Sequence, residues 1–208
     1  MKIAVLGASA GIGLQCVRLA LQKGHGVVTL SRRVVPLPDH AQLMRVQGSA
    51  TDPSTVRRAV EGAEAVLVTL GVKSPLPTTV FSDSSRILLQ VLKEIGSSPT
   101  LIVLTGFGTG DSGSYNSFPM KILFTLLLKQ VYVDKGLQEQ LIAAGYPRWV
   151  MVRPGRLTNG SMTGRYRVLD TLVEGMKVGA ISRADVAQFL VDQAEQPTYL
   201  GKYPALTY

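Results

Sequence analysis

Cysteine is nearly absent from this 208-residue chain. Cys16 stands alone, so no internal disulfide and no multi-thiolate zinc site can form, and nothing demands an oxidising compartment. The cytoplasm is the expected location, and no metal is expected. Long hydrophobic runs are missing as well. The longest charge-free apolar stretch, Ile122 to Leu128, is far too short to span a bilayer, and the few residues ahead of Gly7 leave no room for a signal peptide. A soluble protein without a membrane partner is expected. Clustered basic charge is the third absence. The net charge is +8, yet the lysines and arginines are scattered, with no basic block and no interleaving of aromatic and basic residues. That argues against nucleic acid and leaves a small anionic partner, such as a phosphorylated cofactor, as what the charge can serve.

Hydrophobic residues at 46% and charged residues at 17% fit a compact folded protein, and the length fits one α/β domain over residues 1–208. Apolar runs of strand length alternate with segments of helical period from the first residue onward. This is the pattern of a doubly wound, mainly parallel sheet flanked by helices on both faces, a Rossmann-type fold. Lys2 to Leu6 reads as the first strand. Ile12, Cys16, Leu19 and Lys23 then fall at helical spacing, with Gly24 as the cap and Cys16 as a small buried hydrophobe. Val27 to Ser31 is the second strand, Val34 to His40 a proline-broken loop, and Leu43 to Val46 a short third strand. Asp52-Pro53 opens a helix that runs to about Glu61. Ala65 to Leu70 is a strand, Thr79 to Ile95 a helix, and Leu101 to Thr105 a strand whose glycine-rich exit, residues 106–114, is expected to be flexible. Helical periodicity then covers Phe118 to Ala144, with Gly136 as a kink or break. The apolar ring from Met120 to Leu128 reads as core, a subunit interface or a membrane-surface patch, and monomer and homodimer both stay open. Trp149 to Arg153 is a sixth strand, and Ser182-Arg183-Ala184-Asp185 caps a last helix.

The first strand-to-helix junction carries Gly7-Ala8-Ser9-Ala10-Gly11-Ile12-Gly13. Glycines at this place let backbone approach a pyrophosphate, whose charge the helix amides then stabilise. At the end of the second strand an acid would accept bonds from the ribose 2′-hydroxyl of NAD. None is there. Ser31-Arg32-Arg33 stands instead, and guanidinium groups suit a 2′-phosphate, which points to NADP(H).

The chain resembles the atypical short-chain dehydrogenase/reductases of the NmrA-like and biliverdin-IXβ (flavin) reductase type. The resemblance rests on Gly7-Ala8-Ser9 with Gly13, on Leu70-Gly71 followed by Leu76-Pro77-Thr78-Thr79, and on Lys135, Glu139 and Leu141 before Gly145. It also rests on Val152-Arg153-Pro154-Gly155 with Thr163-Gly164, and on Ile181 to Ala187. It implies an NADPH-dependent reductase acting on a small molecule, a flavin or a linear tetrapyrrole such as biliverdin, with the substrate cleft formed by the C-terminal part. Carried across, Ser9, Ala10, Ile12 and Gly13 would cradle the pyrophosphate together with Gly7 and Gly11. Arg32 would hold the 2′-phosphate beside Arg33, and Ser49 and Ala50 would flank the adenine. Leu70 and Gly71 would face the inner ribose, with Thr105, Gly106, Pro154, Gly155 and Arg156 around the nicotinamide. Thr105, Gly106 and Arg156 would then position the reactants, without an evident acid. Leu76, Phe107, Phe118, Leu157 and Met162 are candidate cleft edges.

Two departures stand out. Glycine at 106 replaces the serine that biliverdin-IXβ reductase-like proteins carry, and alanine at 10 gives the Gly-x-x-x-Gly-x-Gly of ordinary short-chain dehydrogenases. Those enzymes use a Tyr-x-x-x-Lys pair, and none of the seven tyrosines here has lysine four positions on. Ordinary carbonyl-reductase chemistry is therefore not expected, and solvent would supply the proton in flavin reduction. Tyr115 and Tyr132 stand as candidate proton donors beside their plainer reading as packing residues. Two other readings stay open: a non-catalytic NADP(H) sensor of the NmrA-like type, and a nucleotide-sugar epimerase-like enzyme.

Overall fold

A computed structural model describes residues 1–72, 76–115, 129–173 and 176–208. β1 (Lys2–Leu6) is followed by α1 (Gly11–Gln22), β2 (Gly26–Ser31), β3 (Leu43–Gln47), α2 (Pro53–Val60), β4 (Ala65–Val68), α3 (Val80–Glu94) and β5 (Thr100–Leu104). Next come a 3-10 turn (Gly110–Tyr115), α4 (Lys129–Gly145), β6 (Trp149–Pro154), β7 (Arg156–Thr158), β8 (Arg167–Leu169), β9 (Ala180–Ser182), α5 (Arg183–Glu195) and β10 (Ala205–Thr207). The main sheet has the order β3-β2-β1-β4-β5-β6-β10-β8, and β7 pairs with β9 apart from it. Among the described strands of the main sheet only β8 runs antiparallel, against β10. The first six strands thus have the Rossmann order. It reverses between β1 and β4 and opens a crevice at their carboxyl ends.

β1 shows why both faces of the sheet are covered. Its side chains alternate: Ile3 and Val5 enter the core beneath α1 and α5, whereas Ala4 and Leu6 enter the core beneath α2, α3 and α4. A strand buried on both faces reads as a continuous apolar run, which is how Ala65–Val68 and Leu101 to Leu104 read too. The helix ends follow local chemistry. Asp52 accepts from the Ser54 amide at 3.0 Å with Pro53 in the first position, and Ser182 accepts from the Asp185 amide at 3.0 Å. Gly24, at φ +81°, closes α1 with paired bonds, its own amide to the Leu21 carbonyl and that of His25 to Ala20.

Three expectations change. β4 ends at Val68 and not at Leu70, because Thr69 makes the last bond to β1, at 2.8 Å to the Leu6 carbonyl, before the chain turns out at the crevice. Gly136 neither kinks nor breaks α4, which is continuous from Lys129; a Cβ there would meet only the Gly110 amide at 3.9 Å, so the small residue lets the 3-10 turn lie close. Nor is the exit from β5 simply loose, since Thr109 and Ser112 are fully buried and Ser112 Oγ donates to the Thr109 carbonyl at 2.6 Å. The apolar stretch Phe118 to Leu128 lies outside the described residues. Among the described residues no helix is long and apolar enough to cross a membrane, and no group of His, Cys, Asp and Glu is placed to hold a metal.

Candidate active site

The parallel strands all present their carboxyl ends to one edge of the sheet, and the singled-out residues follow those ends. Gly7 leaves β1 at φ +94°, and a Cβ on it would lie 2.7 Å from the Thr69 carbonyl oxygen. Gly13 is tighter still: a Cβ would lie 2.4 Å from the Gly7 oxygen and 2.5 Å from Thr69 Oγ1. These two glycines press the first turn of α1 against β1 and β4. Gly11 is different. At φ +56° it has nothing within 4 Å of an added Cβ, so its backbone borders open space. Ala10 caps α1 without a side-chain bond, and no acid stands in the first turn, which leaves the helix start suited to an anion. Ser9 is half-buried and Ile12 packs into the core. This cradle fits a dinucleotide pyrophosphate.

Arg32 and Arg33 follow β2 on the surface, and neither makes an ion pair among the described residues. The turn beneath them is fixed from both sides: Ser31 Oγ donates to the Arg33 carbonyl at 2.6 Å, and Gln47 Nε2 to that of Arg32 at 3.3 Å. Ser49 and Ala50 come next in space, since the Gly48 amide donates to the Ser31 carbonyl at 3.1 Å. Thr55 Oγ1 holds the Ser49 carbonyl at 2.6 Å, and Ala50 is buried. Leu70 and Gly71 sit across the crevice, the first half-buried and the second exposed with open space around it.

At the end of β5 the geometry is denser. Thr105 is buried and its hydroxyl turns inward, donating to Glu139 Oε1 at 2.7 Å, while its carbonyl accepts from Lys135 Nζ at 2.6 Å. Glu139 is gripped by Arg153, through Nε to Oε1 at 3.0 Å and Nη2 to Oε2 at 2.7 Å. Arg153 Nη1 reaches on to Asp111 of the 3-10 turn at 2.6 Å, and its Cζ lies 4.3 Å from the Tyr203 ring centre. Burial alone would lower the basicity of Arg153, but the bonds to Glu139 and Asp111 more than offset that and raise it. Gly106 follows, and a Cβ on it would lie 3.0 Å from Tyr132 Oη. Burial pushes the Tyr132 phenol up to about 12 and pulls the Lys135 ammonium down to about 8, the latter against the attraction of Glu139.

The remaining candidates separate. Pro154 is buried and its carbonyl accepts from the Phe107 amide at 2.9 Å, which ties the exits of β5 and β6 together. Gly155 packs so closely that a Cβ would lie 2.3 Å from the Gly179 oxygen. Arg156 projects its side chain into solvent beside this crossing. Phe107 is 6% exposed and packs inward, and Leu157 packs on the α1/α5 core, whereas Leu76 and Met162 are open at 68% and 46%. Phe118 and the side chain of Tyr115 lie outside what is described. The fold also brings Lys135, Glu139, Arg153 and Asp111 to this place, although the chain read residue by residue gives them no chemical role. Tyr132, Lys135 and Glu139 are spaced by three and four, which is one face of a helix, and that spacing was the available signal.

Comparison with known proteins agrees with this geometry. A family model described as NAD(P)H-binding matches residues 7–197. The chain is 28% identical to reductase pytE of Aspergillus terreus, over 99% of its own length and 97% of that protein. Its fold superposes with a TM-score of 0.80 on ChuY, an anaerobilin reductase from Escherichia coli O157:H7, at 24% identity over 100% of this chain and 97% of the other. It superposes with a TM-score of 0.84 on a short-chain dehydrogenase/reductase of Veillonella parvula in complex with NADP, at 16% identity over 100% and 94% of the two chains. With the glycine cradle at the crevice and the match along almost all of its length, the chain belongs to the NAD(P)H-binding family.

Proposed function

We propose that this protein is an NADPH-dependent reductase of a small planar, conjugated acceptor, a flavin such as FMN or riboflavin or a linear tetrapyrrole such as biliverdin. The observation that carries the cofactor choice is the pair Arg32 and Arg33, exposed and without an ion pair among the described residues, at the strand end where an acid is missing. NADPH, when bound, supplies the hydride. The chain's own residues bind and orient it: Gly7, Ser9, Ala10, Gly11, Ile12 and Gly13 surround the pyrophosphate, and Arg32 and Arg33 take the 2′-phosphate. Ser49 and Ala50 flank the adenine. Leu70 and Gly71 border the inner ribose, and Thr105, Gly106, Pro154 and Gly155 bracket the nicotinamide. Arg156, exposed at the same edge, attracts an anionic substituent of the acceptor, a flavin phosphate or a propionate.

The acceptor class is supported by the motif resemblance to flavin and biliverdin-IXβ reductases and by the fold shared with an anaerobilin reductase. A site of this kind acts mostly by positioning, because a conjugated ring accepts hydride without covalent help from the protein. The test is turnover: purified protein with NADPH and FMN, riboflavin or biliverdin should consume NADPH, read as loss of its near-ultraviolet absorbance. Binding of NADPH without consumption by any of the three would overturn the reductase reading and favour a sensor.

A further inference from the structure

We propose that the edge strand β3 sets the preference for NADPH over NADH from behind, through Arg45 and Gln47, two positioning residues that clasp the loop carrying Arg32 and Arg33. This rests on the NADPH reading above. Side chains alternate along β3: Val46 enters the core beneath α2, and Arg45 and Gln47 share the opposite face. In the parallel register Arg45 stands beside Thr29 and Gln47 beside Ser31, where β2 gives way to the loop. Arg45 grips that loop at three acceptors. Its Nη2 donates to the carbonyls of Leu37 and Pro38 at 2.7 and 2.8 Å, and its Nη1 to Asp39 Oδ1 at 2.9 Å. Gln47 Nε2 donates to the Arg32 carbonyl at 3.3 Å, and Ser31 Oγ to that of Arg33 at 2.6 Å.

The loop is pinned on its inner side as well. Val35 is buried in the core beneath α1 and α5, Leu37 packs on the same core, and the Leu37 amide donates to the Val35 carbonyl at 2.9 Å. Pro36 and Pro38 restrict the backbone further. Arg32, Arg33 and Val34 are therefore a bridge of exposed residues between two buried ones, Ser31 and Val35. The carbonyl oxygens of Arg32 and Arg33, which would repel a phosphate, are both engaged by side-chain donors, so the guanidinium groups dominate the local field. A loop held in this way also needs little ordering when the 2′-phosphate arrives, which removes a cost of binding. Arg45 is not a further phosphate ligand, because Asp39 offsets its charge and its donors are committed to the loop. A dinucleotide without the 2′-phosphate gains nothing from the clasp, which therefore acts on the choice between the two cofactors.

The experiment uses the full chain and direct titration with NADPH and NADH, followed by nicotinamide fluorescence. Arg45→Met should weaken NADPH about 5- to 20-fold, while NADH stays within about twofold and shows that the fold is intact. Arg45→Lys keeps the charge but cannot span three acceptors, and should weaken NADPH nearly as much. Gln47→Leu, at an exposed position, should weaken it about two- to fivefold. Independently of cofactor binding, hydrogen exchange of residues 32–39 should quicken in Arg45→Met while that of the glycine turn does not change. NADPH affinity of Arg45→Met within about twofold of the unmodified protein overturns the clasp alone. So does equal weakening of NADPH and NADH by these variants, which would mark a merely structural role, or an Arg45→Lys variant that binds as the unmodified protein does, since Arg45 would then act by charge. An unmodified protein that binds NADPH no more tightly than NADH overturns the clasp and the NADPH reading together.

Discussion

At the scale of single residues, the proposed preference for NADPH rests on charge. Arg32 has no ionic partner to lose among the described residues, so its removal acts on the ligand and not on the fold. Arg32→Ala should weaken NADPH by about 10- to 100-fold, the equivalent of one or two charged hydrogen bonds, and leave NADH nearly unaffected. Equal weakening of both in a binding titration would remove the 2′-phosphate assignment. The places of these arginines and of the glycine turn were legible in the sequence, because each sits next to a recognisable strand end. Thr105 was legible as a position but not in its orientation. Its hydroxyl faces Glu139, which follows it by 34 residues and reaches it only once α4 is packed.

At the scale of elements, the glycines act by contact and not by flexibility alone. Gly13→Ala would set a methyl group against the Gly7 oxygen and Thr69 Oγ1, both closer than real Cβ atoms come, so α1 must lift away from β1 and β4. Overpacking of this kind costs about 1–3 kcal/mol, to be read as a shift of the denaturant midpoint together with weaker NADPH binding. Gly11→Ala meets no atom and should cost only the strain of its positive φ, about 1 kcal/mol. Reading the alternation of strands and helices gave β1 to β6, α1 to α3 and the end of α4 within a residue or two, because strands buried on both faces leave unmistakable apolar runs; the expected start of α4 lies outside the described residues. It gave none of β7 to β10. These have three residues each, and their pairings join distant segments, such as Arg156 to Ala180 and Ala205 to Arg153, so no local pattern announces them. The stretch expected to be a loose glycine loop is shaped by the same long-range effect, through the arginine of β6.

At the scale of the molecule, the net charge of +8 is spread over the surface, and the exposed Arg32, Arg33 and Arg156 follow the strand ends that border the crevice. Such a field should steer an anionic dinucleotide inward. Association of NADPH, measured by stopped flow, should slow about three- to tenfold as salt rises from low to near-physiological strength and beyond. The more weakly charged NADH should respond less, and equal responses would mean that the field is not engaged. The network that joins buried Thr105, Glu139 and Arg153 to the exposed Asp111 has a consequence at the same scale. It draws on β5, α4, β6 and the 3-10 turn, so the segment that closes one side of the crevice is not a self-contained module. Transplanting residues 106–115 into a related scaffold, to carry over its acceptor preference, would leave Asp111 without its guanidinium. A graft intended to work must bring Arg153 and Glu139 with it, and Arg153 is the same arginine that precedes the Pro154-Gly155 crossing.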